Sequence, residues 1–463
     1  MRRTALTLSA AALSLAVAAV VHAGPPGSWT PVTSANLVNI DQVGLARTAD
    51  GLHVVWLSKN GNKEDLRHTT ILPSGTGGLA HNSAVVARWS SLSNASIVVT
   101  SSGLQAFWAG IRSTSTTDPY SSGTVFTATA GPAGSAWSLA ADPAAAPSSA
   151  YASDLVAATV KKDGTPVTAW SGTPGFYVHD GLDKAKPNVK IQAACCAYQA
   201  SLATDQGSGE VYAAWYSNAA GSYGIHVRRV LPSLGGDHLM PGSASADRKS
   251  AVSPDQAVGI VSRDGAPGVC AAYGVGYPVW KALNVWCSGR SVRVWSGTIR
   301  HFTVAPALDG RVWALWTTGD AIYAARSNGA VTVFGAAVEV APPAGTTDIW
   351  KVEGDGRLGP TKPLDLLASV TKGGGIGFWH TQVEPGLTLL VEPGAAAASK
   401  AFKLLDAGDP VHGGRVQISG PRGLALPAPV GTASASGPAG SYTATASAPG
   451  YTDAKATFVV PHS

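Results

Sequence analysis

The sequence predicts an all-β protein, a seven-bladed β-propeller followed by a small β-sandwich, on three observations. One hairpin phrase recurs seven times between Val43 and Trp379. Glycine (54) and proline (30) are frequent while only 13% of residues are charged, a turn-rich composition. From about Gly386 the phrase stops, and short alternating strands joined by Gly/Pro turns replace it.

The phrase first reads VGLARTADGLHVVW, closing on Trp56, and its later copies close on Trp108, Trp170, Trp215, Tyr273, Trp316 and Trp379. Each copy is a small apolar strand, a turn glycine, then a Val/Ala-rich strand ending in an aromatic. The turn glycines are Gly51, Gly103, Gly164, Gly209, Gly265, Gly310 and Gly375, spaced 45 to 65 residues apart. Four of them follow aspartate, at Asp50, Asp163, Asp264 and Asp309, and Asp-Gly accepts the positive φ of a tight hairpin turn. A small first strand suits the innermost position, and an aromatic second strand packs between neighbouring sheets. The third strands, DLRHTTIL, GTVFTATA, GIHVRRVL and AIYAARS, alternate polar with apolar residues. Four-stranded sheets at this period are a propeller signature. Seven copies give seven blades, with six and a stray hairpin as the other count. GSWTPVTSANLV supplies the outer strand of the last blade and closes the ring. Two β-sandwiches are the alternative, and they do not explain one hairpin repeated seven times.

The first residues read as a signal peptide over 1–23. Arg2 and Arg3 precede an apolar run that ends at Val21-His22-Ala23, a small-residue cleavage site. The run is short for a membrane span and no basic flank follows it. The propeller is expected over 24–385. Losing Arg2 and Arg3 takes the net charge from +5 to about +3, which excludes a nucleic-acid partner. A monomer without cofactor is expected. Four cysteines in an exported chain are expected to be oxidised, and four allow three pairings. Cys270 and Cys287 flank a hairpin and can lie opposite each other, which leaves Cys195 beside Cys196. Neighbouring Cα atoms lie about 3.8 Å apart, below the roughly 4.4–6.8 Å of ordinary disulfides. A vicinal disulfide there is a strained turn of the kind kept at ligand sites; pairing elsewhere and free thiols are the alternatives. No metal is expected, since no histidine stands at ligand spacing.

In a propeller the inner strands all start on one face, here called the loop face, which also carries the loops between second and third strands. The turns between first and second strands lie on the opposite, turn face. Asp41 and Gln42 precede the first inner strand, and Asp154 the third. Cys195, Cys196, Tyr198 and Gln199 stand at the fourth, and Asp255 and Gln256 at the fifth. Arg300 and His301 precede the sixth, and Asp365 the seventh. The loops after the second strands carry Tyr120, Phe176, Tyr223, Tyr277 and Trp280. These residues are expected to ring one ligand pocket, the aromatics stacking on sugar rings while acids and amides bond hydroxyls. The structural alternative is that short polar side chains tie down loop amides and aromatics cover the blade tops.

The G-x-x-x-x-W hairpins, with basic third strands such as LRHTTIL and GIHVRRVL, resemble sialidase-type, neuraminidase-repeat propellers over most of residues 28–385. The tail resembles the Ig-like or carboxypeptidase-regulatory-like sandwiches of bacterial surface proteins over 386–463. The matching pieces are Asp409-Pro410-Val411 before GGRVQISG, and Gly440-Ser441-Tyr442 leading to Ala448-Pro449-Gly450-Tyr451. That resemblance implies a spacer or docking module. The chain departs from the sialidases in lacking the S-x-D-x-G-x-x-W box. Of its six glutamates only Glu64 falls on the loop face, and Arg112 and Arg300 are its mouth arginines. No sialidase site carries over. The leading expectation is a secreted or cell-surface protein that binds a glycan or cell-wall polymer through the loop face. A polysaccharide hydrolase would use two of Asp41, Asp154, Asp255 and Asp365. A lyase would use Tyr198 and His301 as base and acid. A protein-interaction scaffold is the third reading, and fold alone does not choose among them.

Overall fold

A computed structural model describes residues 28–33, 42–77, 82–113, 124–145, 155–172, 175–193, 196–250, 258–359, 363–393, 400–420, 426–429 and 439–460. The leader, Asp41, Tyr120, Asp154, Cys195, Asp255 and Gln256 lie outside these residues. Among the described residues the regular elements are all strands. None forms a helix long and apolar enough to cross a membrane.

Among the described residues of 28–383, seven antiparallel sheets follow one another, six of four strands and one of five. Sheet 1 runs Gly44–Arg47, Leu52–Asn60, Lys63–Ile71 and Ser83–Trp89 in spatial order. The first strands of sheets 2 to 6 are Ser96–Thr100, Ala157–Val160, Ala197–Thr204, Gly259–Ser262 and His301–Pro306. That of sheet 7 is Thr346–Asp355. Each first strand packs against the next, and Thr346–Asp355 returns to Gly44–Arg47, so the arrangement is propeller-like around a channel.

The repeat explains this packing. The phrase-ending Trp56, Trp108, Trp170, Trp215, Tyr273 and Trp316 are all buried, because the second strand of each sheet is covered on both faces. A buried aromatic of roughly 150–250 Å² contributes about 4–6 kcal/mol at ~25 cal/mol per Å², an upper bound. The Asp-Gly pairs cap loops of four to six residues rather than two-residue turns. Asp309 and Gly310 both have positive φ, 59° and 70°, as the sequence of that turn predicts.

The seventh copy of the phrase lies one strand further out than expected. Its two strands, Leu364–Lys372 and Gly375–Val383, are the second and third of sheet 7. Trp379 therefore sits on a third strand and is only half-buried. The true inner strand carries Lys351 and Glu353, so it does not read as small and apolar. The closing strand is as expected: Thr30–Pro31 pairs with Gly375–Val383, opposite His380 and Trp379. Val32 N donates to Phe378 O at 2.9 Å and Phe378 N to Thr33 Oγ1 at 2.8 Å.

Beyond Gly386 a three-stranded sheet and a four-stranded sheet share one apolar cluster that includes Phe402, Leu404, Ile418, Tyr442 and Ala444. The cluster forms because Arg415–Ser419 and Gly440–Ser447 bury every second residue. This part is tied to sheet 6 by buried charge: Arg326 Nη2 donates to Asp406 Oδ2 at 2.5 Å, and Arg311 bridges Asp406 and Asp409.

Candidate functional site

The loop face of sheets 4 and 5 gathers four tyrosines. Tyr198, at the start of the inner strand, lies directly opposite Tyr216 on the second strand. Tyr223 stands in the loop after that strand, and Tyr277 in the equivalent loop of sheet 5. Tyr198 and Tyr277 are 39% and 44% exposed, whereas Tyr216 is buried. Burial pushes the Tyr216 phenol up, and the charges of Tyr198, Tyr223 and Tyr277 push it further.

The backbone beneath them is irregular. Cys196 and Gln199 have φ of 74° and 54°, and the ladder slips between Tyr198 and Ser201. Positive φ is uncommon for such residues, and it turns Tyr198 outward at the point where the strand begins. Asn218 N donates to Cys196 O at 2.8 Å, fixing the segment.

The other rim aromatics are core residues. Phe176 is fully buried against Trp215 at 5.4 Å, and Trp280 packs on Phe302 at 4.9 Å. Trp280 also fills the space over Gly274, where a Cβ would meet the indole at 2.5 Å. Phe176 belongs to the third strand of sheet 3, Gly175–Asp180, rather than to a loop, and Trp280 folds back from its loop onto the blade.

The cysteines divide. Cys270 and Cys287 are register partners on adjacent strands and form the expected disulfide. Cys196 is a free, half-buried thiol, and Cys195, its expected partner, lies outside the described residues.

Of the expected acids and bases, Asp41, Asp154 and Asp255 lie outside the described residues, and the described Asp365 and His301 do not stand free on the loop face. Asp365 starts a second strand and so lies at the turn face, fully buried. It accepts from His380 Nε2 at 2.9 Å and Gln382 Nε2 at 3.0 Å, and it pairs with Arg47. His301 is buried, and its Nδ1 accepts the Val352 amide at 3.2 Å. Burial, then the charges of Lys351 and Arg300, hold its imidazole well below the ordinary histidine range. It is neutral and unavailable as a partner for Tyr198. Arg300 stacks on Trp350 at 4.1 Å and pairs with Asp348. Gln42 does line the channel. Glu64 sits on the loop side of sheet 1, accepting from Leu92 N at 2.6 Å; burial raises its pKa.

Sequence reasoning missed the residues that dominate the channel. These are Glu353 and Asp355, at alternate positions of the inner strand of sheet 7 after the buried Lys351, and Arg357 beyond its end. Their period of two was the available signal. The Glu353 carboxyl faces a constriction of about 220 Å³ lined by Gln42, Ser96, Ser201 and Thr303. Its Oε1 has no hydrogen-bond partner. Burial raises it to about 8, against the opposing charge of Lys351 and a hydrogen bond from Thr303. It is a carboxylic acid that keeps its proton at neutral pH. Asp355 differs: burial would raise it, but Arg357 and Arg47 hold it below the usual carboxylate range.

No family model matches the chain, and no curated protein matches it. Solved structures do. The polysaccharide lyase Uly1 is 8% identical, with 76% of this chain and 92% of that chain covered at a TM-score of 0.46. The β-propeller domain of the Trilobed protease from Pyrococcus furiosus is 9% identical, covering 73% and 95% at 0.41. The SapL1 lectin, solved with α-methyl fucoside, is 14% identical, covering 65% and 96% at 0.36.

Proposed function

We propose that the protein is an exported seven-bladed β-propeller of sialidase-like type that binds a glycan or cell-wall polymer on its loop face. The segment 386–463 is an Ig-like sandwich acting as spacer. One observation carries the reading: exposed Tyr198 and Tyr277 stand on the loop face of the adjacent sheets 4 and 5, Tyr198 directly opposite Tyr216 and beside the loop of Tyr223. Phenol rings of this kind offer an apolar body and a polar tip, the pairing that a sugar's C–H face and hydroxyls need. Two of the described candidates favour binding over turnover: Asp365 is paired with Arg47 and His380 at the far face, and His301 is tied to a backbone amide.

The test is pull-down of the full chain on insoluble cell-wall polysaccharides, with soluble-sugar competition. Retention that drops several-fold in Tyr198→Ala and Tyr277→Ala, without release of reducing ends, supports the reading. Equal retention of both variants overturns it. Release of products with unsaturated-uronate absorbance replaces it with a lyase.

A further inference from the structure

We infer a second ligand site at the turn-face mouth of the channel, built to take a small zwitterion that carries a carboxylate and an ammonium group. The mouth is a cavity of about 580 Å³ to which all seven sheets contribute, and its charged lining consists of Arg47, Asp264 and Arg357. Thr159, Gln206 and Ser262 add neutral polar groups.

Arg357 is held in place from behind. Its Nε and Nη2 donate to Asp355 Oδ2 at 3.0 and 2.6 Å, and its amide donates to Asp355 Oδ1 at 2.9 Å. Asp355 is itself gripped by Arg47 Nε at 2.7 Å, and Arg47 reaches Asp365, which His380 and Gln382 hold. Burying charges in this way costs stability compared with an apolar core. What the chain fixes is the direction of a guanidinium whose Nη1 makes no bond among the described residues, with the side chain 35% exposed on the lining of the cavity. Supporting shells of this kind are what make a binding group rigid.

Asp264 stands at the tip of the sheet 5 turn on the same cavity. Its charge acts on Arg357, yet among the described residues the two form no ion pair and the Asp264 carboxylate meets no partner. An anchored cation and a free carboxylate thus face one solvent-filled space, too far apart to satisfy each other. A ligand with both charges satisfies both. An anion alone meets Asp264 as a like charge, and a cation alone meets Arg357. The site lies on the opposite face from the tyrosines and is independent of them.

Ligand-observed NMR on the full chain tests this, using glycine, β-alanine and γ-aminobutyrate as probes, with acetate and ethylamine as single-charge controls. A hydrogen bond to a charged group is worth roughly tenfold or more in affinity. At least one amino acid is expected to bind about tenfold or more tighter than either control. Asp264→Asn, which leaves the Gly310 N to Asp264 O backbone bond intact, is expected to bring it down to the level of acetate. Arg357→Gln should abolish binding, and if that variant does not fold, Asp264→Asn decides. No binding by any amino acid, acetate binding as tightly, or an Asp264→Asn variant that binds normally each overturns the site.

Discussion

Replacing Glu353 by glutamine tests the strongest electrostatic feature of the channel. Glutamine has the shape of the protonated acid and no charge to lose. Glu353 goes from about 4.5 when unfolded to about 8 in the fold. Between those values the folded state holds a proton that the unfolded state has released. Stability therefore falls as pH rises through this window, by about 1.4 kcal/mol per pH unit. Across roughly 3.5 units the loss approaches about 5 kcal/mol, an upper bound because the carboxyl borders the channel and water reduces its desolvation. Glu353→Gln should match the natural protein near pH 4.5, gain on it steadily up to pH 8, and keep a constant advantage above that. Thermal unfolding of both proteins from pH 4.5 to 9 measures the difference directly. Two curves that stay parallel over the whole range would refute the assignment of a buried, proton-bearing acid.

Other predictions follow from buried pairs. Cys270→Ala with Cys287→Ala opens a loop with a sequence separation of 17 and should cost about 3 kcal/mol on the loop-closure account, read as a lower denaturant midpoint. Asp365→Asn leaves Arg47 short of one buried partner and should cost roughly 3–5 kcal/mol in the same assay. His53 and His68 bond each other at 3.0 Å, and burial lowers them to about 4 and about 3, His53 also disfavouring charge on His68. The unfolded chain takes up both protons near pH 6.5, so stability should fall as pH drops from about 6.5 towards 4, and His68→Gln should flatten that slope in pH-dependent melts.

The sheets were legible because their signal is repeated and physical. A small strand, a turn and an aromatic strand describe an inner hairpin whose second member is covered on both faces, and burial of Trp108, Trp170, Trp215 and Trp316 follows. The seventh copy misled because Gly373, Gly374 and Gly375 imitate that turn between the wrong two strands. Thr346–Asp355 was invisible as an inner strand because its alternate positions are charged, a pattern that reads as a solvated edge. It is buried because Arg47 and Thr303 arrive from elsewhere in the sequence, and Arg357 folds back from two residues on, to meet those charges. The same limit applied to the rim. Tyr277 and Trp280 share a loop and a residue class, yet one is exposed and the other fills the space over Gly274. Only the fold separates them.

The position of the charged network has its own logic. Sheets 2 to 6 each form from one continuous stretch of chain, and their junctions are sealed by apolar clusters such as the one joining sheets 4, 5 and 6. Sheet 7 takes its outer strand from Thr30–Pro31, far away in sequence, so the junction between sheets 7 and 1 joins segments distant along the chain. An apolar cluster around Val32, Leu52, Val54, Leu367 and Phe378 covers part of that seam. Apolar contact does not fix register, whereas hydrogen-bonded charge does, because an arginine fork meets a carboxylate in few geometries. Arg47 belongs to sheet 1 and grips Asp355 and Asp365 of sheet 7, so it clasps the seam. Arg357 grips only Asp355, two residues before it, and joins nothing across the seam. The division of labour between the two arginines is therefore physical: loss of Arg47 should be felt in folding, and loss of Arg357 chiefly in what the channel mouth can hold.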